Sequence, residues 1–276
     1  IEAGEALVRH RGVDKITFTG GPVAARRIMT LAAETLKPVV FELGGKNANI
    51  VFEDADLEFA VMYSAAFSMN CAGQGCALPT RLLVQDSIYD QFVAGVLQVI
   101  QHLPVGDPLD DKNHFGPVVN EAACNRIIAR IEEARQEGAQ LVLGGERLKG
   151  DYKDGYFVGA TVFADVDPMS KLAQEEIFGP VLTISRFKDE EEAVRIANCT
   201  DYGLAAYVQT RDLARAHRVA SQLVAGVVHI NGAPNTHPGS PYGGVGLSGF
   251  GKEGGKAGLD EFLRPKVVGI ALKRPF

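Results

Sequence analysis

The chain has 276 residues, 46% of them hydrophobic and 22% charged, with a formal net charge of −6. That length holds one large α/β domain or two smaller ones, and the composition is globular, which excludes long-range disorder. The acidic balance argues against nucleic acid and acidic membrane surfaces as partners, and no stretch offers the about 18 consecutive apolar residues of a membrane span.

In chain order, residues 1–12 read as the middle of a helix ending at Gly12, in a chain that starts at Ile1 and is expected to be a fragment of a longer protein. A strand at 14–20 alternates Ile16 and Phe18 on one face and meets two glycines. A helix at 24–36 stops before Pro38. Strands at 39–43 and 47–52 follow, then a helix at 57–70 capped by Asp54 or Asp56. A strand at 81–86 leads to an amphipathic helix capped by Ser87, and a long helix at 120–137 ends at Gly138 before another strand. Strand–helix pairs recur at 181–198 and 204–223, then a strand at 226–231, a Gly/Pro/Ser-rich loop at 232–255, a helix at 255–263 and an apolar strand at 266–272. Alternation of this kind predicts a doubly wound, mostly parallel α/β sheet. The last strand has no following helix, so it completes a sheet of its own chain or pairs with another subunit.

Four cysteines at 71, 76, 124 and 199 form no CxxC pair and no disulfide scaffold, which favours a reducing, cytoplasmic setting. Cys76 follows a glycine-containing turn (Gly73-Gln74-Gly75-Cys76) after an apolar helix, which suits either an exposed thiol in a cleft or a buried structural one. Cys71 stands five residues earlier and could pair with it. Glu42 ends an apolar strand and precedes Gly44-Gly45-Lys46, where α/β folds place ligands; it is either a carboxyl tuned toward a base or the ion-pair partner of Lys46. Residues 244–249 match GxGxxG, but a Pro-containing loop stands where a strand is required, so they read as a flexible glycine loop. No histidine spacing suits a metal.

Five motifs in one order, ITFTGG (16–21), ELGGKNA (42–48), GQGC (73–76) with Arg81 after it, EEIFGPV (175–181) and PYGG…SGFGKEGG (241–255), resemble the NAD(P)-dependent aldehyde dehydrogenase superfamily along essentially the whole chain. The resemblance implies an α/β catalytic domain at 44–262, a remnant of a Rossmann-like dinucleotide-binding domain at 1–43 and an oligomerisation tail at 263–276. It implies Cys76 as nucleophile, Glu42 as general base, and Gly20, Gly21, Leu43, Glu176 and Phe178 as contacts to NAD or NADP. Asn231 and Tyr242 are expected around the substrate. The implied reaction oxidises a small-molecule aldehyde to an acid through a thiohemiacetal and a thioester, in a homodimer or homotetramer. Alternatives are a CoA-acylating semialdehyde dehydrogenase and a non-catalytic binding or assembly module. This sequence departs from the family pattern at Gly21 (usually Ser), at Asn70 (displaced by one), at Tyr242 (usually Phe), at Gly246 (usually Lys) and above all in length. The family's ribose lysine, its second oxyanion donor and most of its cofactor domain have no counterpart here.

Overall fold

A computed structural model describes residues 1–232 and 237–272. Its elements are α1 (Glu2–Arg9), β1 (Ile16–Thr19), α2 (Pro22–Ala33), β2 (Val39–Glu42), β3 (Ala48–Val51), α3 (Leu57–Met69), β4 (Arg81–Gln85), α4 (Tyr89–Gln101), α5 (Glu121–Gln136), β5 (Gln140–Leu143), β6 (Thr161–Ala164), α6 (Lys171–Gln174), β7 (Val181–Phe187), α7 (Glu190–Ala197), β8 (Tyr202–Gly203), β9 (Ala205–Gln209), α8 (Leu213–Gln222), β10 (Val227–Ile230), β11 (Val245–Gly246), β12 (Gly249–Phe250) and α9 (Gly255–Asp260).

The larger sheet runs β10-β9-β3-β4-β7-β6-β5, parallel throughout except for the antiparallel edge pair β5–β6. Its central strands are buried on both faces, the pattern expected where helices cover both sides. The period of two divides them: Leu82 and Val84 join the core under α3, α4 and α5, whereas Leu83 joins Ile50, Phe52 and Phe187 under α7 and α8. A smaller sheet, β1-β2-β12, takes β12 from far along the chain and pairs it antiparallel to β2, Gly249 opposite Glu42. It packs on α2 through Ala25, Phe41 and Leu43. The doubly wound expectation therefore holds, with the small sheet set beside it.

Side-chain caps start several helices. Of the two predicted candidates for α3, the Asp56 carboxylate accepts from Phe59 N–H; Asn120, which the sequence reading places inside its helix, accepts from Ala123 N–H at the start of α5. Ser87 does not cap α4: residues 86–88 form a 3₁₀ turn, and the Ser87 hydroxyl donates to Glu53 instead. The strand β6 is absent from the sequence reading, because TVFA is short and unflanked by a long helix. The 244–249 segment is not an open loop: β11 pairs with β8 and β12 with β2. Residues 266–272 form no strand within the described chain, and Val267, Val268, Ile270 and Leu272 are 97%, 74%, 78% and 92% exposed. A strand needs a partner edge, and none within the described residues lies alongside this segment.

Arg81 ties the two halves of the core together. Its buried guanidinium donates to Lys46 O (2.8 Å), Ile196 O (3.1 Å) and Ala197 O (2.7 Å), so it caps the last turn of α7 and pins the loop before β3. Burial pulls its basicity below the usual arginine value. Arg81→Met keeps the apolar stem and strands three carbonyls, at a cost of about 3 kcal/mol or more. The urea midpoint of the variant should fall accordingly; a midpoint matching the parent chain would show that these carbonyls find other partners.

Candidate active site

The chain reaches Cys76 by a turn that few residues accept. After α3 ends, Cys71, Ala72 and Gly73 take φ of 52°, 55° and 70° in succession. Gly73 meets two demands: its φ is left-handed, and a Cβ there would lie 2.0 Å from Gly179 O. Gln74 braces the turn, donating to Cys71 O (3.0 Å) and accepting from Val119 N–H (2.9 Å). Beyond it, the Asn47 amide donates to Cys76 O (2.8 Å) and Leu78 O (2.9 Å) and accepts from Ala205 N–H (3.0 Å). The buried Tyr207 hydroxyl donates to Ala77 O at 2.7 Å. The nucleophile candidate thus sits on a backbone held from β3 and β9, partly buried rather than sealed in the core. All four cysteines are free thiols, so Cys71 and Cys76 form no disulfide here.

Glu42 arrives from the other sheet. It ends β2 with its carbonyl accepting from Gly20 N–H (3.1 Å), and Leu43 N–H donates to Ser248 O (3.1 Å). The fully buried Ser248 hydroxyl donates to Gly44 O (2.7 Å) and accepts from Gly203 N–H (3.0 Å), locking the strand end to β8, which leads into β9 of the large sheet. Only 5% of Glu42 is exposed, and its Oε1 has no hydrogen-bond partner. Burial raises its pKa to about 7, the charges of Glu253 and Glu176 act in the same direction, and the neighbouring Cys76 thiol opposes them. The Cys76 thiol is itself pushed up, by burial and by the Glu42 charge, against weaker help from the Tyr242 hydroxyl and Ala77 N–H. Tyr242 Oη stands 4.0 Å from Cys76 Sγ. The pair resists carrying two negative charges at once. A carboxyl poised near neutrality beside a protonated thiol is a proton acceptor matched to its donor.

The two glycines after Leu43 are there for close approach. A Cβ on Gly44 would lie 2.0 Å from Glu176 Oε2, and one on Gly45 would lie 2.5 Å from Cys76 O. Gly45 N–H donates to Glu176 Oε1 at 2.9 Å. Burial raises the Glu176 pKa, opposed by that N–H and by Lys46. Lys46 is almost wholly buried, and burial together with Arg81 brings it down to about 7; the carboxylates whose charge it feels are Glu176 and Glu175, so it is not the partner of Glu42. Phe178, on the loop after Glu176, holds φ 54° and is 37% exposed. Gly21 caps α2 without a side-chain bond and is exposed, leaving the first N–H groups of that helix open beyond Gly20.

The structure therefore brings Cys76, Glu42, Leu43, Glu176 and Tyr242 together, with Gly20 at the same strand end. Asn231 clasps the end of β9: its amide accepts from Thr210 N–H (2.9 Å) and donates to Thr210 O (2.6 Å), which leaves one N–H of the amide over. Glu253, Asn47, Ser248 and Tyr207 are the parts sequence reasoning passed over. Asn47, Ser248 and Glu253 stood inside quoted motifs, but nothing local marks which buried polar side chain will clasp which loop.

The Aldehyde dehydrogenase family profile matches residues 1–268. An aldehyde dehydrogenase-like protein of Schizosaccharomyces pombe is 47% identical over 269 residues, covering 97% of this chain and 54% of its own length. A betaine aldehyde dehydrogenase of Cereibacter sphaeroides is 44% identical over 98% of this chain and 55% of its own. The crystal structure of a betaine aldehyde dehydrogenase point mutant from Staphylococcus aureus in complex with NAD+ superposes with a TM-score of 0.93 at 39% identity, over 95% of this chain and 54% of that one. The chain spans about half the length of the relatives it matches.

The electrostatics of the thiol can be read directly by alkylation. Thiolate is the reacting species, and the Glu42 charge disfavours it. Glu42→Gln removes that charge, so the iodoacetamide rate at Cys76, followed by peptide mapping across pH, should shift to lower pH. A profile that stays in place or moves upward would mean that the two groups do not interact.

Proposed function

The chain belongs to the aldehyde dehydrogenase family, and on that premise we propose that it carries the nucleophile and base of an NAD-dependent oxidation of an aldehyde to a carboxylic acid. The observation that carries this reading is the buried Glu42 carboxyl, unpartnered at Oε1 and raised to about 7, set against the Cys76 thiol. Cys76 Sγ adds to the aldehyde carbon while its proton passes toward Glu42. The Cys76 N–H makes no hydrogen bond within the described chain and is free to donate to the developing oxyanion. Bound NAD supplies the hydride acceptor. Glu42, again ionised, then takes a proton from the water that attacks the thioester, releasing the acid and the thiol.

The residues fit the nicotinamide side of such a cofactor. Glu176 is brought against the glycines by Gly44, where a Cβ could not stand, and it has an oxygen beyond the one bonded to Gly45. The start of α2 at Gly21, next to Gly20 whose own N–H is held by Glu42 O, suits a phosphate, and the exposed Phe178 ring lies on the same loop as Glu176. We assign residues 1–43 to the cofactor side, 44–262 to the catalytic domain and 263–276 to self-association in a homo-oligomer, an assignment supported by the exposed apolar side chains of the tail.

In a protein of the relatives' full length, Glu42→Gln should keep a stoichiometric burst of NADH and lose steady turnover by about a hundredfold or more. Full turnover in that variant, or product released to CoA rather than water, would remove Glu42 from the hydrolytic step. The 276-residue chain alone lacks about half of what its relatives carry. Calorimetric titration with NAD should therefore show binding weaker by orders of magnitude than an intact enzyme's, each lost contact weighing about 1 kcal/mol. Micromolar binding with ordinary turnover would contradict this.

A further inference from the structure

Three aromatic rings lie along one face of α3, and the middle one carries a buried polar atom that nothing among the described residues satisfies. Tyr63 stacks on Phe59 (centroids 5.8 Å, 11°) and on Phe67 (5.2 Å, 26°). Its hydroxyl oxygen is buried without a hydrogen-bond partner, and the residue as a whole is 9% exposed. An orphaned buried hydroxyl is costly, and a site built to bond a ligand is one reason to retain it. The stack runs toward the nucleophile. Phe67 and Ala77, next to Cys76, pack in one cluster with Tyr63, Ala205 and Tyr207, and the Tyr207 hydroxyl holds Ala77 O at 2.7 Å. His229 stacks on the far side of Tyr207 (5.2 Å, 25°).

Tyr63 stands one helical turn back from Phe67, about 6 Å along the axis, so that part of the stack is about as long as a substituted phenyl ring. The rings that flank Tyr63 are not locked in the core: Phe59 is 44% exposed and Phe67 is half-buried. Burial and Tyr207 hold the Tyr63 phenol protonated, and no charged group acts on it. It is a donor in neutral surroundings, suited to a neutral acceptor rather than to a carboxylate or an ammonium.

We propose that Tyr63 selects the substrate: the stack along α3 receives the flat body of an aromatic aldehyde, and the Tyr63 hydroxyl donates to an oxygen substituent at its far end. The proposal rests on Cys76 being the residue that adds to aldehydes.

That addition gives a measurement independent of cofactor and turnover. Sγ bonds to the carbonyl carbon, the C=O π bond opens, and the thiol proton ends on the new hydroxyl, so no oxidant is consumed. Bound aldehyde then protects Cys76 from iodoacetamide. With each aldehyde's reaction with a small thiol as reference, 4-hydroxy- and 4-methoxybenzaldehyde should half-protect Cys76 at about tenfold lower concentration than benzaldehyde, the weight of one buried hydrogen bond. Tyr63→Phe should remove that preference, leave the benzaldehyde value unchanged and leave the melting temperature equal or higher. Equal protection by all three aldehydes, a preference that survives in Tyr63→Phe, or stronger protection by a trimethylammonium aldehyde indifferent to the substitution would overturn the proposal. Protection with the expected pattern but no NADH from any aldehyde in the relatives-length protein would sink the oxidation reading and leave the subsite standing.

Discussion

A carboxyl group buried without a partner is a liability that most folds avoid, and here the molecule is arranged so that one can exist next to a thiol. Glu42 ends a strand of the small sheet, Cys76 lies beyond the helix that precedes a strand of the large one, and neither element alone has cause to approach the other. The seam between the sheets therefore has to be held by something other than the two functional groups, which repel when both are charged.

Backbone clasps do that holding. Ser248 fastens Gly44 to Gly203, Asn47 fastens Cys76 and Leu78 to Ala205, and Arg81 fastens the intervening loop to the end of α7. Each buried side chain satisfies two or more main-chain groups, the condition under which a buried polar residue stabilises a structure. Gly44, Gly45 and Gly73 remove the atoms that would keep the parts apart. Glu176 arrives by the same means, so the nucleophile, the base and the cofactor-side carboxylate share one set of supports. Lys46, with its basicity lowered beside Glu176, is part of the same compromise: a cation is tolerated in the interior because an anion is near.

Much of this was legible in the chain itself. The βα alternation gives a parallel sheet because each strand–helix unit must cross over to lie parallel to its predecessor. Asp56 caps its helix because its short side chain reaches the first free N–H groups. The motifs around Glu42, Cys76, Glu176 and Tyr242 sit in runs of glycine and polar residues whose spacing is local information, and the structure gathers all four. What the sequence missed depends on distant partners: the short strand β6, the pairing of residues 245–246 and 249–250, and the true employment of Ser87.

The sequence by itself determined the periodicities, the caps, the glycines at points of close approach and the kinds of reactive group available, because these depend on residues a few positions apart. Only the tertiary structure decided that Glu42 Oε1 lacks a partner while Lys46 is buried within reach of the Glu176 charge, that Asn231 clasps Thr210, and that the Tyr63 hydroxyl has no bond among the described residues. Hydrogen-bond satisfaction, desolvation and charge coupling are properties of what surrounds a group in space, and those surroundings come from segments far apart in the sequence, from 21 residues for Thr210 with Asn231 to 204 for Gly44 with Ser248.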